Sequence, residues 1–302
     1  MKRFINFAAL TVLIFFASIG IGCAHSEHGH SDHGYKAPKK TGILLVAFGS
    51  SQASAQVSFE NIEKKVEAAY PDVPIRWAFT SHIIREKLAK QGRILDSPAV
   101  ALAKMQDEKF THVAVQSLHT IGGAEFHDLM SIVNGFEVMS GGFEKVLVGY
   151  PLLATAHDLE AVRDAMLDNI PGERKTNEAV ILMGHGTHHP SNAFYQAMAY
   201  EFQRKDPNVY VGTVEGMPSL NDIMVDLKAK GTKKAWLIPF MSVAGDHVLN
   251  DMAGDEPESW KSILTKEGIE PKPVLKGTAE FDNIVDIYVS HLKKAFSHFE
   301  KH

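Results

Sequence analysis

An internal repeat is the sequence feature that most constrains this fold. Residues 113–125 align without a gap onto residues 235–247, and both segments run from an apolar stretch into a glycine-containing turn. Residues 46–50 and 183–187 form a second aligned pair. A repeat on this scale indicates two similar halves related by a pseudo-twofold axis. A position in one half therefore predicts the place of its counterpart in the other.

Short apolar stretches alternate with longer amphipathic ones from residue 41 onward. This alternation is typical of βα units and parallel sheets. We therefore predict an α/β fold with two parallel-sheet domains, residues 41–155 and 156–302, with the last helix able to pack on the N-terminal domain. The predicted strands are 42–48, 73–79, 112–117, 145–149, 179–183, 209–213 and 235–239. The predicted helices are 54–70, 83–91, 98–107, 125–138, 158–169, 192–204 and 220–229.

Residues 1–24 have the features of a signal peptide. Lys2 and Arg3 precede an apolar stretch that runs from residue 4 to residue 21 and ends in small residues. We expect cleavage near Ala24 and export to the periplasm. The alternative is a lipoprotein anchored through Cys23, although the preceding residues fit a lipoprotein box only loosely. Cys23 is the single cysteine, which excludes a disulfide framework and cysteine-bound zinc.

Residues 25–40 are predicted to form a His-rich linker. Four histidines lie among small polar residues, with no apolar periodicity. Such a segment can bind divalent metal ions, and the alternative is a solvated linker with no metal role.

The charge balance argues against nucleic-acid binding. The chain has 31 Lys and Arg against 36 Asp and Glu, a net charge of −5, and no basic stripe interleaved with aromatic residues.

Three side chains that can bind metal fall at related places in the two halves. His185 and His247 each follow an apolar stretch, and the repeat pairs His247 with Glu125 and His185 with Phe48. Open α/β folds bind ligands at the carboxyl ends of strands, so we expect the trio in one cleft between the domains. Two imidazoles and a carboxylate suit Co²⁺, Fe²⁺, Ni²⁺ or Zn²⁺. The alternative for each histidine is a helix-capping or core role.

The chain also resembles a known family over nearly its whole length after residue 41. The matching segments are 44–51, 78–81, 115–119, 151–153 and 183–186, and above all Val-Ala-Gly-Asp-His-Val-Leu-Asn-Asp-Met-Ala-Gly-Asp at 243–255 with 259–261. They resemble the anaerobic sirohydrochlorin cobaltochelatases of the CbiK type, which are relatives of the class II chelatases and ferrochelatases. The block at 243–255 is specific, whereas Gly-His-Gly alone would be weak.

The resemblance implies two Rossmann-like domains that face a tetrapyrrole cleft. It also implies an enzyme, a lyase that inserts a divalent metal into the tetrapyrrole sirohydrochlorin. The metal would be Co²⁺ or Fe²⁺. The resemblance places the family's catalytic histidines at His185 and His247 and its cleft glutamate at Glu125. We expect His185 to be a metal ligand and the leading proton acceptor, with His247 and Glu125 completing the metal site. Asp246 is expected to orient His247 or to form the turn.

The substrate implied by the family carries many carboxylates, so basic groups are expected at the cleft rim. The candidates are Arg76, Arg85, Lys87 and Arg93. The alternative is that these side chains lie on an ordinary solvent-exposed surface. Ser50 and Ser51 are candidates for holding an acidic group at a helix start. The candidates for the apolar walls of the cleft are Phe48, Leu118 and Met241. The alternative is that they are ordinary residues of the hydrophobic core.

The resemblance implies a role in cobalamin and porphyrin biosynthesis, but cobalamin precursors are made in the cytoplasm, and export is out of place for that pathway. A second hypothesis is therefore a non-catalytic periplasmic carrier of haem, tetrapyrrole or metal, with metal or haem transport partners. His127 faces away from Glu125 on the predicted helix and is a candidate axial haem ligand shared within a homo-oligomer. The alternative is an exposed histidine. A third hypothesis, a His-dependent hydrolase using His185, His188 and His189, lacks a serine elbow or a paired acid.

Overall fold

Two four-stranded parallel sheets organise the chain in the computed structural model, which describes residues 38–299. The first sheet contains β1 (Thr41–Ala47), β2 (Ile75–Phe79), β3 (His112–Ser117) and β4 (Lys145–Gly149), in the order β2-β1-β3-β4. The second contains β5 (Ala179–Gly186), β6 (Val209–Glu215), β7 (Lys234–Pro239) and β8 (Glu270–Pro273), in the order β6-β5-β7-β8. The identical strand order confirms the predicted α/β fold with two similar halves.

Helices connect the strands, as parallel pairing requires. They are α1 (Gln56–Ala69), α2 (His82–Lys90), α3 (Pro98–Asp107), α4 (Ala124–Val138), α5 (Ala156–Asp168), α6 (Ala193–Lys205), α7 (Leu220–Ala229), α8 (Trp260–Lys266) and α9 (Asp282–Ser297). Short 3₁₀ helices cover Ala53–Ala55, Pro190–Asn192 and Thr278–Glu280, and a π-helical turn covers Val248–Met252. Among residues 38–299, no helix has the length and apolar character needed to cross a membrane.

Both faces of each sheet are buried, which explains why the strands are continuous apolar runs. One face of each sheet enters a core shared by the two halves, to which the central strands contribute Ile43, Leu45, Val180 and Leu182. The opposite face of the first sheet packs against α3 and α4, and that of the second packs against α7 and α8. The shared core joins the described residues into one compact unit.

The C-terminal helix α9 returns to the first half of the chain. It packs against α1, α5, β3 and β4. Its buried Tyr288 donates a hydrogen bond to the carbonyl of Leu118 at 3.1 Å, and Ser242 donates to the same carbonyl at 2.9 Å. This network joins the segment after β3 to the segment after β7, next to the cavity described below.

The differences from the predicted elements include a longer β5 and an additional strand. β5 continues to Gly186, so His185 lies within the strand rather than in a turn after it. β8 is an additional edge strand, Glu-Pro-Lys-Pro, which has no apolar alternation and tolerates proline because of its edge position. Residues 1–37, which include the predicted signal peptide and most of the predicted linker, lie outside the described residues.

Candidate active site

A cavity of about 310 Å³ lies between the two halves, at the carboxyl ends of strands from both sheets. This is where open α/β folds bind ligands. Its polar and aromatic lining residues include Phe48, Ser50, His119, Glu125, His185, Tyr195, Glu215, Asp246 and His247. The three residues predicted to form the metal site therefore line one cavity, as do the predicted wall residues Phe48, Leu118 and Met241.

His185 is held by the backbone of β5. Its Nδ1 lies 2.9 Å from the carbonyl oxygen of Gly186. Because a carbonyl only accepts hydrogen bonds, Nδ1 is the donor, and in the neutral imidazole Nε2 keeps its lone pair. The neutral imidazole is therefore oriented to bind a metal ion or to accept a proton through Nε2.

The glycines on either side of His185 are sterically required. Gly186 has φ of +78°, and a Cβ at this position would lie 1.6 Å from the carbonyl oxygen of Glu215 on the neighbouring strand. A Cβ at Gly184 would lie 2.4 Å from the ring of Tyr195. The Gly-His-Gly sequence thus lets β5 pass closely between β6 and this buried tyrosine.

Tyr195 is a site residue that the sequence analysis did not identify. Burial raises the pKa of its hydroxyl to about 12, although hydrogen bonds from the backbone of Gly186 and His185 act in the opposite direction. A neutral phenol therefore supports the backbone that carries His185. The sequence contains no signal for this role, because it depends on how α6 packs against β5.

His247 is oriented by a carboxylate. It directly precedes the π-helical turn, and its Nδ1 lies 2.6 Å from Oδ2 of Asp251, four residues later. The expectation that Asp246 orients His247 is wrong. Asp246 instead accepts a hydrogen bond from Gln52 Nε2 and lies 3.6 Å from Lys87 Nζ. Residues four apart on a helical turn are neighbours in space, whereas adjacent residues point in different directions.

The two predicted histidines are in direct contact. The ring centroids of His185 and His247 are 4.6 Å apart, with an angle of 86° between the rings. Glu125 lies in the first turn of α4 and lines the same cavity. Between residues 38 and 299, however, no three His, Cys, Asp or Glu side chains are grouped as a preformed metal site. The full trio therefore stays a prediction.

Glu215 is a second carboxylate that the sequence analysis missed. It ends β6, pairs with Gly186 in the strand register and lines the cavity. Its position next to the His185 segment makes it an alternative oxygen donor for a metal held by the two histidines. Its one sequence signal was an acidic residue two positions after the predicted strand 209–213.

The basic residues expected to meet substrate carboxylates differ in their surroundings. Arg76 pairs with Glu108 at 2.9 Å, and Arg93 donates to Gln56 at 3.0 Å. Lys87 reaches Asp246 at the cavity wall, whereas Arg85 is partly buried and its Nε has no partner. Ser50 lines the cavity, although α1 begins only at residue 56.

His127 is exposed on α4 and is not one of the residues that line the cavity. Its ring centroid lies 5.0 Å from that of His189, which precedes the 3₁₀ helix of the second half. The candidate haem ligand is therefore paired with a second histidine from the other half of the chain.

Comparison with known proteins gives a consistent result. Residues 41–297 match the sequence model of the cobalt chelatase (CbiK) family. The chain is 46% identical over 258 residues to sirohydrochlorin cobaltochelatase CbiKC from Nitratidesulfovibrio vulgaris, covering 85% of this chain and 91% of that protein. It is 34% identical over 260 residues to sirohydrochlorin cobaltochelatase from Salmonella typhimurium, covering 85% of this chain and 97% of that protein.

A solved structure shares the fold. SirB from Bacillus subtilis, determined with Fe³⁺, superposes with a TM-score of 0.55 at 16% identity, covering 86% of this chain and 98% of SirB. At this identity the likeness concerns the fold alone.

Proposed function

This chain belongs to the cobalt chelatase (CbiK) family, and we propose that it is a sirohydrochlorin cobaltochelatase, which inserts Co²⁺ into sirohydrochlorin. The observation that carries this proposal is the contact between His185 and His247 in the interdomain cavity. Both side chains commit Nδ1 to an acceptor and leave Nε2 available. Two neutral imidazoles are suitable first ligands for a borderline ion such as Co²⁺.

We infer that the same two histidines exchange the metal for protons. Insertion breaks two pyrrole N–H bonds and forms bonds from the metal to the ring nitrogens. Each histidine that releases the metal regains a free Nε2, which can accept one of the departing protons. Asp251 then stabilises the positive charge that forms on His247. Charge and atoms balance, because the bound ion carries two positive charges and two protons leave.

The cavity also acts on the macrocycle. A planar tetrapyrrole presents its nitrogens poorly to an incoming ion, so insertion requires distortion of the ring. A cavity that binds the distorted form more tightly lowers this barrier. The apolar walls formed by Phe48, Leu118 and Met241 are the surfaces available for this contact.

The physiological metal is proposed to be Co²⁺, with Fe²⁺ as the alternative. The ligand set of two imidazoles and a carboxylate accepts either ion. Initial rates with each ion, measured anaerobically at matched free concentrations, distinguish the two.

A metallation assay tests the function. Purified protein, sirohydrochlorin and Co²⁺ are followed by absorbance, and we expect a rate well above the spontaneous one. His185→Ala and His247→Ala should each abolish turnover with the fold intact. His157→Ala, which changes an exposed histidine on α5, is the matched control. Retained activity in both site variants would place the site elsewhere.

We also propose that the protein is exported to the periplasm. The proposal is supported by Lys2, Arg3 and the apolar stretch that follows them. N-terminal sequencing of the protein from a periplasmic fraction tests it, with a start near residue 25 expected. A lipid-modified Cys23 at the new N-terminus would favour the lipoprotein alternative.

A second candidate function is haem or tetrapyrrole carriage without catalysis. It is favoured by the contact between the exposed His127 and the partly buried His189. A haem shared between copies would also make the protein a homo-oligomer, and an exported carrier would need metal or haem transport partners. Reconstitution with haem should give a Soret band that disappears in His127→Ala. A band that persists in this variant would contradict His127 as the ligand.

A further inference from the structure

His119 has an unfilled hydrogen-bonding position in the wall of the cavity. The residue lines the cavity, and its Nε2 has neither a hydrogen-bond partner nor contact with solvent. Burying a polar atom without a partner costs stability, and native proteins keep few such atoms. The mechanism based on His185 and His247 leaves this imidazole without a role.

The hydrogen bonds of Ser117 assign the proton of this imidazole. The Ser117 hydroxyl oxygen lies 2.9 Å from His119 Nδ1 and accepts the backbone N–H of His119 at 3.4 Å. Because the Ser117 hydroxyl is buried, His119 Nδ1 is the acceptor available for its proton. Nδ1 therefore accepts, and Nε2 carries the ring proton.

The imidazole is also kept neutral. Burial lowers the pKa of His119 to about 4, although the Glu125 carboxylate acts in the opposite direction. Over the range in which most proteins work, His119 thus presents an uncharged N–H donor whose protonation does not change.

The fold itself does not require a polar side chain at this position. The repeat pairs His119 with Met241, an apolar residue that lines the same cavity from the second half. The fold thus accepts an apolar residue at the equivalent position, but His119 places an N–H donor there without an acceptor. We infer that the acceptor for Nε2–H belongs to a bound ligand.

The cavity has to widen before a tetrapyrrole fits. Its volume of about 310 Å³ lies at the lower end of the range for small-ligand sites, and a macrocycle of four pyrrole rings is a large ligand. Separation of the walls would uncover the buried Nε2. Side-chain rearrangements of this kind are common on binding.

We propose that His119 is a substrate-binding residue, whose Nε2–H donates a hydrogen bond to an acceptor on the tetrapyrrole. This inference rests on the proposed function. Two acceptors have the required chemistry, a carboxylate at the rim of the macrocycle and an unprotonated nitrogen at its centre.

Two variants test the role. The double variant Ser117→Ala/His119→Met removes both hydrogen-bonding partners together, and His119→Gln keeps an N–H donor close to the position of Nε2. We expect the double variant to weaken sirohydrochlorin binding and raise KM about tenfold, with kcat changed less than about twofold. His119→Gln should recover most of the affinity.

Thermal unfolding separates this role from a structural one. Since Nε2 has no partner in the free protein, the double variant should unfold at a temperature no lower than that of the wild type. Unchanged KM in the double variant, or a KM effect accompanied by clear destabilisation, would overturn the proposal.

Binding of the metallated product identifies the acceptor. In cobalt-sirohydrochlorin the central nitrogens are occupied by the metal, whereas the rim carboxylates are unchanged. If the double variant loses the same affinity for sirohydrochlorin and for cobalt-sirohydrochlorin, the acceptor is a rim carboxylate. If it loses affinity only for the metal-free form, the acceptor is a central nitrogen. Wild-type protein that neither binds nor metallates sirohydrochlorin would contradict the proposed function itself. Normal wild-type activity with unaffected variants would overturn the His119 inference alone.

Discussion

Asp251 and His247 form a carboxylate–imidazole pair, with 2.6 Å between Oδ2 and Nδ1. His185 is oriented differently, by the uncharged carbonyl of Gly186 at 2.9 Å. A carboxylate partner raises the basicity of an imidazole more than a carbonyl does. The two histidines that touch at the cavity wall are therefore chemically unequal, and His247 is expected to bind a cation more strongly.

Replacement of Asp251 by alanine should lower Co²⁺ affinity and kcat/KM by about 10- to 100-fold, because His247 loses both its orientation and the neighbouring charge. Asp251→Asn keeps an acceptor oxygen, so its Co²⁺ affinity and kcat/KM should lie between those of Asp251→Ala and the wild type. Isothermal titration with Co²⁺ and the metallation assay measure the two quantities. Asp255→Ala is the control, since that side chain is 96% exposed. Equal effects in Asp251→Ala and Asp255→Ala would refute the orienting role.

Glutamine substitution should identify the carboxylate that completes the metal site. Glu125→Gln and Glu215→Gln each remove a negative charge from the cavity and keep the shape of the side chain. The variant in which the metal-binding carboxylate has been replaced should bind Co²⁺ about tenfold more weakly than the wild type. Titration of both variants, with Asp128→Asn on the exposed face of α4 as the control, decides between them. If neither variant differs from the control, neither Glu125 nor Glu215 is a ligand of the metal.

Gly186→Ala should strongly destabilise the protein. The φ of +78° disfavours any residue with a Cβ, and the new Cβ would overlap the carbonyl oxygen of Glu215. We expect loss of more than about 2 kcal/mol of unfolding free energy, measured by urea denaturation. Gly172→Ala is the matched control, because nothing lies within 4 Å of its added Cβ. Similar stabilities for the two variants would show that β5 tolerates displacement here.

The buried pair of Asp158 and His291 should make stability depend on pH in acid. Asp158 Oδ1 lies 3.0 Å from His291 Nε2, and both side chains are 7% exposed. Burial alone would raise the pKa of Asp158, but hydrogen bonds from His291 and Thr155 outweigh it and hold this pKa below its usual value of 3.8. A lowered pKa contributes stability that is present above the unfolded-state pKa and is lost as pH falls through the folded-state pKa.

Asp158→Asn should therefore cost about 1.5–3 kcal/mol near pH 7, the contribution of hydrogen bonds to a charged carboxylate, and its difference from the wild type should shrink below about pH 4. Urea denaturation at a series of pH values measures this difference. Asp168→Asn, an exposed position on the same helix, should stay within about 0.5 kcal/mol of the wild type. If the difference in unfolding free energy between Asp158→Asn and the wild type does not change with pH, the lowered pKa of Asp158 is contradicted.

The sequence was sufficient to predict β1–β7 and α1–α7 in order, because the repeat and the apolar strands of a sheet buried on both faces are strong local signals, whereas β8 and α8 were not predicted. It also predicted that His185, His247 and Glu125 would line one cavity. It did not predict Asp251, whose contact depends on the π-helical turn, or Glu215, whose place depends on strand register. His119 lay inside the aligned repeat, but its pairing with Met241 gave no sign of a polar role.

The return of α9 to the first half has a consequence for biosynthesis. Residues 282–297 complete the packing around β3 and β4, yet they are translated long after these two strands. The nascent first half therefore exposes an apolar face while more than 130 residues are still to be translated, at roughly 5–20 residues per second. This interval favours binding by a chaperone before the N-terminal sheet can close.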